Sequence, residues 1–136
     1  MEYILNDDLI NSLTKTYRVY LCGALSSPQP ALPCIHDDKI EIGISHYREF
    51  TSDIPHFHEN STEYNFILQG TSKVFLLDEV KEYIFQSGSI FVLPPKNKYA
   101  FKHSIDTKIL FIKSPGGNDK KPFAVDAQLE SWLKSW

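Results

Sequence analysis

Cysteine is scarce in this sequence, and a long apolar run is missing. Cys22 and Cys34 are the two cysteines of the 136-residue chain, and their spacing matches no metal-binding or redox motif. A disulfide between them is one alternative, but we expect two reduced structural thiols. No apolar stretch approaches the roughly 20 residues that a membrane-spanning helix needs. The first residues show neither the basic nor the apolar region of a signal peptide, so we expect a cytoplasmic protein with no membrane contact.

A block of positive charge is also missing. The chain has 14 lysines and arginines against 17 aspartates and glutamates, a formal net charge of -3, and the charges are spread along it. This pattern gives no electrostatic footprint for nucleic acid, and no helix-turn-helix accompanies it. What is present is apolar material, at 42% of residues, which is enough for one core. The length suits a single domain over residues 1–136.

Short segments of β-type residues, separated by turn residues about every ten positions, fill the chain from about residue 18 to 113. Residues 39–45 alternate strictly, which predicts that Ile40, Ile42 and Ile44 face a core. Residues 63–69 and 72–77 are predicted to form a hairpin that turns at Gly70. Residues 26–33, with three prolines, and residues 48–55 are predicted to be irregular. The other predicted strands are 18–22, 80–85, 90–93, 99–103 and 108–113. The pattern is typical of an antiparallel sandwich or small barrel.

A helix is predicted near each end of the chain. The first covers Asp7 to Tyr17, with Asp7 or Asp8 as its N-cap. The second covers about residues 126–136 and has Asp126 as its N-cap. Its apolar residues share one face, which predicts packing, with a cofactor lid or a partner surface as the alternatives. These residues are Leu129, Trp132, Leu133 and Trp136.

The chemistry of the chain is concentrated between residues 55 and 70. Side chains two apart on a strand share a face, so His56 and His58 are expected to point the same way. A turn at residues 60–61 would bring Glu63 back on the neighbouring strand. Two imidazoles and a carboxylate are ligands that suit a divalent transition metal. The alternative is that both histidines simply bond to backbone or water.

This stretch, together with residues 88–103, resembles the two motifs of the cupin superfamily. The first motif is G-x5-H-x-H-x3 or 4-E-x6-G, and the chain matches it from His56 to Gly70, with Phe50 in place of the leading glycine. The second motif is G-x5-P-x-G-x2-H-x3-N, and Gly88 and Pro94 match it. The remaining three positions of that motif are replaced, by Lys96, Tyr99 and His103.

The resemblance implies an all-β fold, a jelly-roll antiparallel barrel over residues 18–113 with the C-terminal helix and a possible N-terminal helix outside it. It also implies a metal held by His56, His58 and Glu63. The fourth ligand of the family is replaced by Tyr99, which would bind a strongly Lewis-acidic ion as phenolate or act as a proton donor. His103, on the same strand face, or water are the alternatives for that position. At the turn position where Lys96 replaces glycine, Asn97 is expected to take the positive φ.

The resemblance further suggests a metal-dependent enzyme that acts on a small polar metabolite. The reaction would be that of an isomerase or epimerase, a lyase or a dioxygenase, and iron, manganese, nickel and zinc are not distinguished. Tyr99 and His103 are the candidates for proton transfer, and Asn65 is a candidate for a hydrogen bond to the substrate. One alternative is a non-catalytic small-molecule-binding or regulatory cupin. Another is a metal-independent cupin, similar to keto-sugar isomerases, that uses His56 and His58 as acid and base.

Four further expectations concern residues outside the two motifs and the assembly of the protein. His36 and His46 are predicted to lie on the surface or in loops, and residues 116–117 to form a turn. Lys120 and Lys121 are predicted to be a solvated pair. A homodimer is expected, because an open barrel leaves sheet edges and the face of Trp132 uncovered.

Overall fold

The computed structural model describes residues 1–136 as two antiparallel sheets with one helix near each end of the chain. The helices are α1, Asn6–Lys15, and α2, Ala127–Leu133. The strands are β1 Arg18–Cys22, β2 Glu41–Tyr47, β3 Thr51–Ser52, β4 His56–His58, β5 Thr62–Gln69, β6 Thr71–Leu76, β7 Lys81–Gln86, β8 Ile90–Leu93, β9 Tyr99–His103, β10 Thr107–Ser114 and β11 Lys120–Pro122.

The first sheet has the order β1-β2-β10-β5-β8, and the second has the order β11-β4-β9-β6-β7, with β3 also paired to β9. The expected all-β jelly-roll architecture is confirmed. Neither helix has the length and apolar character that crossing a membrane requires. Both cysteines are free thiols, as expected.

The turn at Gly70 carries the chain from one sheet to the other. The predicted hairpin over this turn is therefore wrong, because β5 pairs with β10 and β8 whereas β6 pairs with β7 and β9. Gly70 has a φ of 80°, and a Cβ there would lie 2.5 Å from the Oγ1 atom of Thr107. Alternation along a strand does not tell whether a tight turn stays within one sheet or changes sheet, so the sequence pattern was compatible with both.

Two short strands lie where none was predicted. β3 occupies part of residues 48–55, and β11 includes Lys120 and Lys121, the predicted solvated pair. β11 pairs with β4, and Lys120 lies opposite His58. Both lysines are exposed, as a solvated pair would be, and Lys120 also lines a cavity between the sheets.

The two faces of β2 differ from the simple expectation. Ile44 is buried beneath α1 in a small cluster with Leu13, Val19 and Leu32, whereas Ile40 and Ile42 are only partly buried. The alternate residues Glu41, Ser45 and Tyr47 point into the space between the sheets. The alternation identified the two faces of the strand, but the interior face of the barrel is the more polar one.

Apolar side chains fill one part of the interior. Eight buried residues form this cluster, and burial of each large member contributes about 1.5–3 kcal/mol to stability. They are Tyr47, Ile67, Val74, Phe91, Leu93, Tyr99, Phe101 and Ile109. The rest of the interior is polar and open.

The helix ends and one turn settle three further expectations. α1 begins after Leu5, which caps no amide with its side chain, so the predicted aspartate cap is wrong; Asp7 and Asp8 lie instead in the first turn, where carboxylates favour the helix dipole. Asp126 caps α2 as predicted, accepting a hydrogen bond from the amide of Leu129 at 2.8 Å. The positive φ of the turn before β9 belongs to Lys96, at 67°, and not to Asn97.

α2 packs on the outside of its own barrel. The Trp132 ring lies 5.8 Å from the Phe75 ring, between centroids, and its indole N–H donates to Glu82 at 2.6 Å. Lys102, buried on β9, donates to the carbonyls of Trp132 and Ser135, at 2.8 and 2.7 Å. These contacts support the packing interpretation of the tryptophan face.

Candidate metal centre and cavity

A cavity of about 620 Å³ opens between the two sheets, within the size range of small-molecule sites. Residues 24–30 form part of its wall. The side chain of Gln29 holds this loop to β1, because its amide nitrogen donates to the carbonyl of Tyr20 at 2.6 Å and its oxygen accepts from the Tyr20 amide at 2.9 Å. The proline-rich segment, irregular as predicted, is thus fixed beside the mouth.

His56, His58 and Glu63 line this cavity and form a cluster, here called the His-His-Glu cluster. The histidines lie on β4, and each is 3% exposed. Glu63 lies on β5, which belongs to the other sheet, so the expectation that it lies on the neighbouring strand is wrong. One donor atom from each of the three residues lies within 4.8 Å of the others. The predicted ligand set is brought together across the barrel.

His58 lies between two carboxylates. Its Nε2 atom is 2.8 Å from the Oε2 atom of Glu63, and its Nδ1 atom is 2.7 Å from the Oδ1 atom of Asp119. Asp119 is itself fixed, since its Oδ2 atom accepts hydrogen bonds from the amides of Asn60 and Ser61, both at 2.8 Å. Burial lowers the pKa of His58, but the hydrogen bonds and charges of the two carboxylates outweigh burial and raise it above its usual value.

His56 is oriented by a backbone carbonyl. Its Nδ1 atom donates to the Ile54 carbonyl at 2.7 Å, which leaves Nε2 as the lone-pair nitrogen that faces the cluster. The Tyr99 hydroxyl donates to this Nε2 atom at 2.8 Å. Burial, and then the positive charge of Lys120, lower the pKa of His56 to about 4. His56 is therefore a neutral imidazole at neutral pH, as metal ligation requires.

Tyr99 lies at the fourth corner of the cluster. Its hydroxyl oxygen is 3.4 Å from the Oε2 atom of Glu63 as well as 2.8 Å from His56, and the residue is 1% exposed. Burial, followed by the charge of Glu63, raises the pKa of Tyr99 well above its usual value. The phenol thus keeps its proton and acts as a donor. Tyr99 does not line the cavity, so its contact is with the cluster itself.

His103 lies on the same strand as Tyr99 but apart from the cluster, about 13 Å along β9 by strand rise. Its Nδ1 atom bonds to the Ser72 hydroxyl at 2.9 Å, and its ring stacks on Tyr47 at 4.0 Å between centroids. Its Nε2 atom is 3.6 Å from the Oδ2 atom of Asp53, makes no hydrogen bond, and is buried. His103 lines the same cavity as the cluster.

The other predicted residues lie in three different settings. Asn65 lines the cavity and donates to the Oε1 atom of Glu63 at 2.8 Å, so it orients the carboxylate. His36 is exposed, in a pair with Asp38. His46 lies on β2 with a side chain 13% exposed, bonded to Asp106, and is therefore not a loop residue.

The donor set fits a divalent transition metal. Each of the three residues has an outer partner: the Ile54 carbonyl for His56, Asp119 for His58 and Asn65 for Glu63. Metal-binding histidines commonly donate their second N–H to a carbonyl or carboxylate in this way. The Glu63 carboxylate is kept ionised, because hydrogen bonds from His58 and Asn65 lower its pKa against the opposing effect of burial.

Sequence reasoning missed Asp119, which contacts His58, and the charged cavity residues Arg18, Asp53 and Lys120. Asp119 comes after the last long strand in a glycine-containing turn, and Arg18 begins β1, with no motif around either. Asp53 and Lys120 lie on segments that were predicted to be a turn and a solvated pair. The one available signal was their polarity near apolar strands, which does not distinguish an interior from a surface position.

The comparisons with known proteins give structural likenesses alone. No family model matches the sequence, and no curated protein matches it. The structure is similar to that of KdgF from a Halomonas species, with a TM-score of 0.56, 21% identity, and coverage of 63% of this chain and 77% of that one. It is similar to an RmlC-like cupin from Shewanella frigidimarina, with a TM-score of 0.54, 13% identity, and coverage of 61% and 72%.

A third similar structure is Pac13, described as a unique nucleoside dehydratase, with a TM-score of 0.55, 12% identity, and coverage of 69% of this chain and 76% of that one. A Pac13 variant from Streptomyces is similar as well, with uridine bound, at a TM-score of 0.55, 13% identity, and coverage of 69% and 75%. At these identities the likenesses establish the fold.

Proposed function

We propose that this chain, which has the cupin fold, is a metal-dependent enzyme that moves a proton on a small polar metabolite, as a lyase or an isomerase. The observation that carries the proposal is the His-His-Glu cluster, whose three donors converge within 4.8 Å on the wall of a cavity. His56, His58 and Glu63 would hold one divalent ion. That ion would supply Lewis-acid polarisation of a substrate carbonyl or hydroxyl oxygen.

His103 is the candidate acid and base. It lines the cavity, and its buried Nε2 atom has no hydrogen-bond partner, while Ser72 fixes the ring through Nδ1. Nε2 would accept a proton from the part of the substrate that lies away from the His-His-Glu cluster, because His103 is about 13 Å from Tyr99 along β9. In an isomerase the proton would return to a neighbouring atom, and in a lyase it would leave with a hydroxyl as water. The likeness to Pac13, described as a dehydratase, supports the lyase class.

Tyr99 and Asn65 would act through the cluster. Tyr99 donates to His56, and Asn65 donates to Glu63, so both are positioning residues. Asn65 also faces the cavity and can therefore offer a hydrogen bond to substrate.

The test is metal content. The protein is purified without a histidine tag, and its metal content is measured by inductively coupled plasma mass spectrometry. The wild type should contain about one transition metal per chain, and His58→Ala should contain none. His36→Ala is the matched control, since His36 is an exposed histidine outside the cavity. A metal-free wild-type protein whose thermal stability ignores added Mn²⁺, Fe²⁺, Ni²⁺ and Zn²⁺ would contradict the proposal.

A metal-independent acid–base cupin is the second candidate. The observation in its favour is that Asp119 orients the His58 ring through Nδ1, as the carboxylate of an acid–base histidine does, and that Glu63 faces Nε2 as a partner for proton exchange. Nitrogen NMR of the labelled histidine rings separates the two candidates. Metal addition should shift the His58 Nε2 signal if the first holds, and should leave it unchanged if the second holds.

We also infer a homodimer in which a second copy covers the outer face of the first sheet. Four large apolar side chains on adjacent strands β5 and β8 are 38–63% exposed, and β8 is an edge strand. They are Tyr64, Leu68, Ile90 and Val92. Light scattering at micromolar concentration should give the dimer mass, and a monomer mass that is unchanged in Val92→Lys would contradict the inference.

A further inference from the structure

Arg18 points into the cavity without a counter-ion. We propose that Arg18, with Lys120, binds an anionic oxygen group, a carboxylate or phosphate, of the small polar molecule that this cavity holds. The inference deepens the proposed function by naming the substrate class. It rests on that function for the statement that the molecule is a substrate, whereas the binding itself needs no metal.

The guanidinium of Arg18 is held in place before any ligand arrives. Its Nε atom donates to the Ser45 hydroxyl at 2.9 Å, and its Nη2 atom donates to the Tyr47 hydroxyl at 2.8 Å. Its central carbon, Cζ, lies 5.4 Å from the centroid of the Tyr17 ring and 5.2 Å from the centroid of the Phe111 ring. The Nη1 atom has no protein acceptor. A fixed donor that faces a cavity is suited to bind an anion, because little side-chain entropy remains to be lost.

The charge of Arg18 is not neutralised by contact with the protein. No aspartate or glutamate oxygen lies within 4.0 Å of its nitrogen atoms. Asp53 is the nearby carboxylate, but its Oδ2 atom faces His103 at 3.6 Å. A partly buried cation without a counter-ion destabilises the folded protein, and an anionic ligand would offset this destabilisation.

Lys120 adds a second free cation. It lies opposite His58 in the pairing of β11 with β4, so its side chain points into the same cavity, and it makes no ion pair or hydrogen bond. Lys113 differs, because its ammonium group lies 2.6 Å from the Oε1 atom of Glu41 and is neutralised. Arg18 and Lys120 are therefore the cavity cations that remain for a ligand.

The region around these cations is otherwise polar. The buried Nε2 atom of His103, which is 1% exposed as a residue, makes no hydrogen bond and faces the same cavity. A ligand held by Arg18 would have a hydroxyl or carbonyl group to offer to this nitrogen. The arrangement favours a hydroxylated molecule with one charged end over an apolar one.

The experiment measures binding by calorimetry and thermal shift on metal-free full-length protein at constant ionic strength. The probes are inorganic phosphate, D-gluconate and D-sorbitol; the last two differ mainly in one carboxylate. Phosphate or gluconate, or both, should bind to the wild type, and sorbitol should not. The response of the first two identifies which anionic group the site prefers. Arg18→Gln should weaken binding about tenfold or more, in line with charge-assisted bidentate contacts.

Lys120→Gln should weaken binding several-fold, and Lys121→Gln is the matched control, since it removes the same charge from the next residue, which does not line the cavity. Circular dichroism checks that each variant is folded, and if Arg18→Gln does not fold, Lys120→Gln against Lys121→Gln decides. Equal binding by all variants, or no binding of either anion, overturns the inference. Metal content, measured on protein as purified, reports separately on the proposed function. A protein that never contains metal but binds the anion through Arg18 would support the anion site and contradict the metal-dependent function.

Discussion

The two ends of the cavity are built in opposite ways. At one end, the cluster end, His56, His58, Glu63 and Tyr99 satisfy one another, and every polar side-chain atom has a partner. At the other, the arginine end, the Nη1 atom of Arg18 and the Nε2 atom of His103 have none. Buried polar groups normally find partners, so the buried Nε2 atom of His103 supports the proposal that a ligand binds at this end.

The difference teaches how each end would respond to a ligand. A metal at the cluster end must displace the hydrogen bond between His58 and Glu63 and the proton within it, so metal and proton compete there. A ligand that binds the Nη1 atom of Arg18 or the Nε2 atom of His103 has no protein hydrogen bond to displace. We therefore expect substitutions to affect metal binding at the first end, and stability or anion binding at the second.

The largest effect is expected from Glu63→Gln. The substitution keeps the shape of the side chain but removes the charge that faces both histidines, and loss of a direct ligand should exceed the 10- to 100-fold typical of outer partners. Titration of Zn²⁺ against a competing chelator should show a loss of more than about 100-fold. Glu59→Gln is the control. If Glu63→Gln binds Zn²⁺ as wild type does, the cluster end is not a metal site.

Asp119→Asn comes next. Asp119 accepts from the Nδ1 atom of His58 and holds the turn at residues 60–61, so its charge both orients the ring and strengthens it as a ligand. The same titration should show a loss of about 10- to 100-fold. Asp38→Asn, at an exposed position, should show none. An unchanged Zn²⁺ affinity in Asp119→Asn would mean that His58 does not need this partner.

Asp53→Asn tests the arginine end through pH. Burial raises the pKa of Asp53, but the proximity of His103 and the charge of Arg18 outweigh it and lower the pKa from 3.8 to about 2. A lowered carboxylate pKa stabilises the fold above the unfolded-state value, and this stability is lost as pH falls from 3.8 to about 2. We expect Asp53→Asn to cost about 1–2 kcal/mol in the free energy of unfolding at pH 7.

Urea unfolding at several pH values checks this expectation. The difference between wild type and Asp53→Asn should be constant from pH 7 to about pH 5 and should shrink below pH 4. The zinc affinity at pH 7 should stay unchanged, since Asp53 does not contact the cluster. A difference that persists unchanged at the lowest pH would show that the Asp53 charge plays no part.

The smallest effect is expected from Ser72→Ala. It removes the hydrogen bond between the Ser72 hydroxyl and the Nδ1 atom of His103, and should cost about 1 kcal/mol in the free energy of unfolding. Urea unfolding measures the loss, with Ser131→Ala in α2 as a control outside the barrel. A loss of several kcal/mol, or a change in zinc affinity, would show that the two ends of the cavity are not independent.

The sequence predicted the parts of this arrangement that depend on local pattern. The spacing of His56, His58 and Glu63 identified the cluster, and the alternation and turn residues identified most of the strands. The pattern could not show that Glu63 reaches the histidines from the opposite sheet, because sheet partners depend on contacts between distant segments. The prediction that these three residues form one cluster was therefore correct, although the predicted position of Glu63 on the neighbouring strand was wrong.

The arginine end was not predictable for a related reason. Arg18 begins an ordinary strand pattern, and nothing local distinguishes an arginine on the inner face from one on the surface. Asp119 reaches His58 only because β11 folds back beside β4, a pairing of 3 residues that leaves no periodic signal. Interior polarity in this barrel also reverses the usual rule, since the polar face of β2 points inward.

The two hydrogen bonds between the Gln29 side chain and the Tyr20 backbone have a second consequence. β1 is an edge strand, and the two Tyr20 groups that Gln29 binds are those that an unpaired edge would offer to another chain. The loop at the mouth is thus also a protective cover for the sheet. If Gln29 were released, the mouth of the cavity would widen and the unpaired edge of β1 would be exposed to pairing with other chains. Access to the cavity and resistance to aggregation therefore depend on the same side-chain amide.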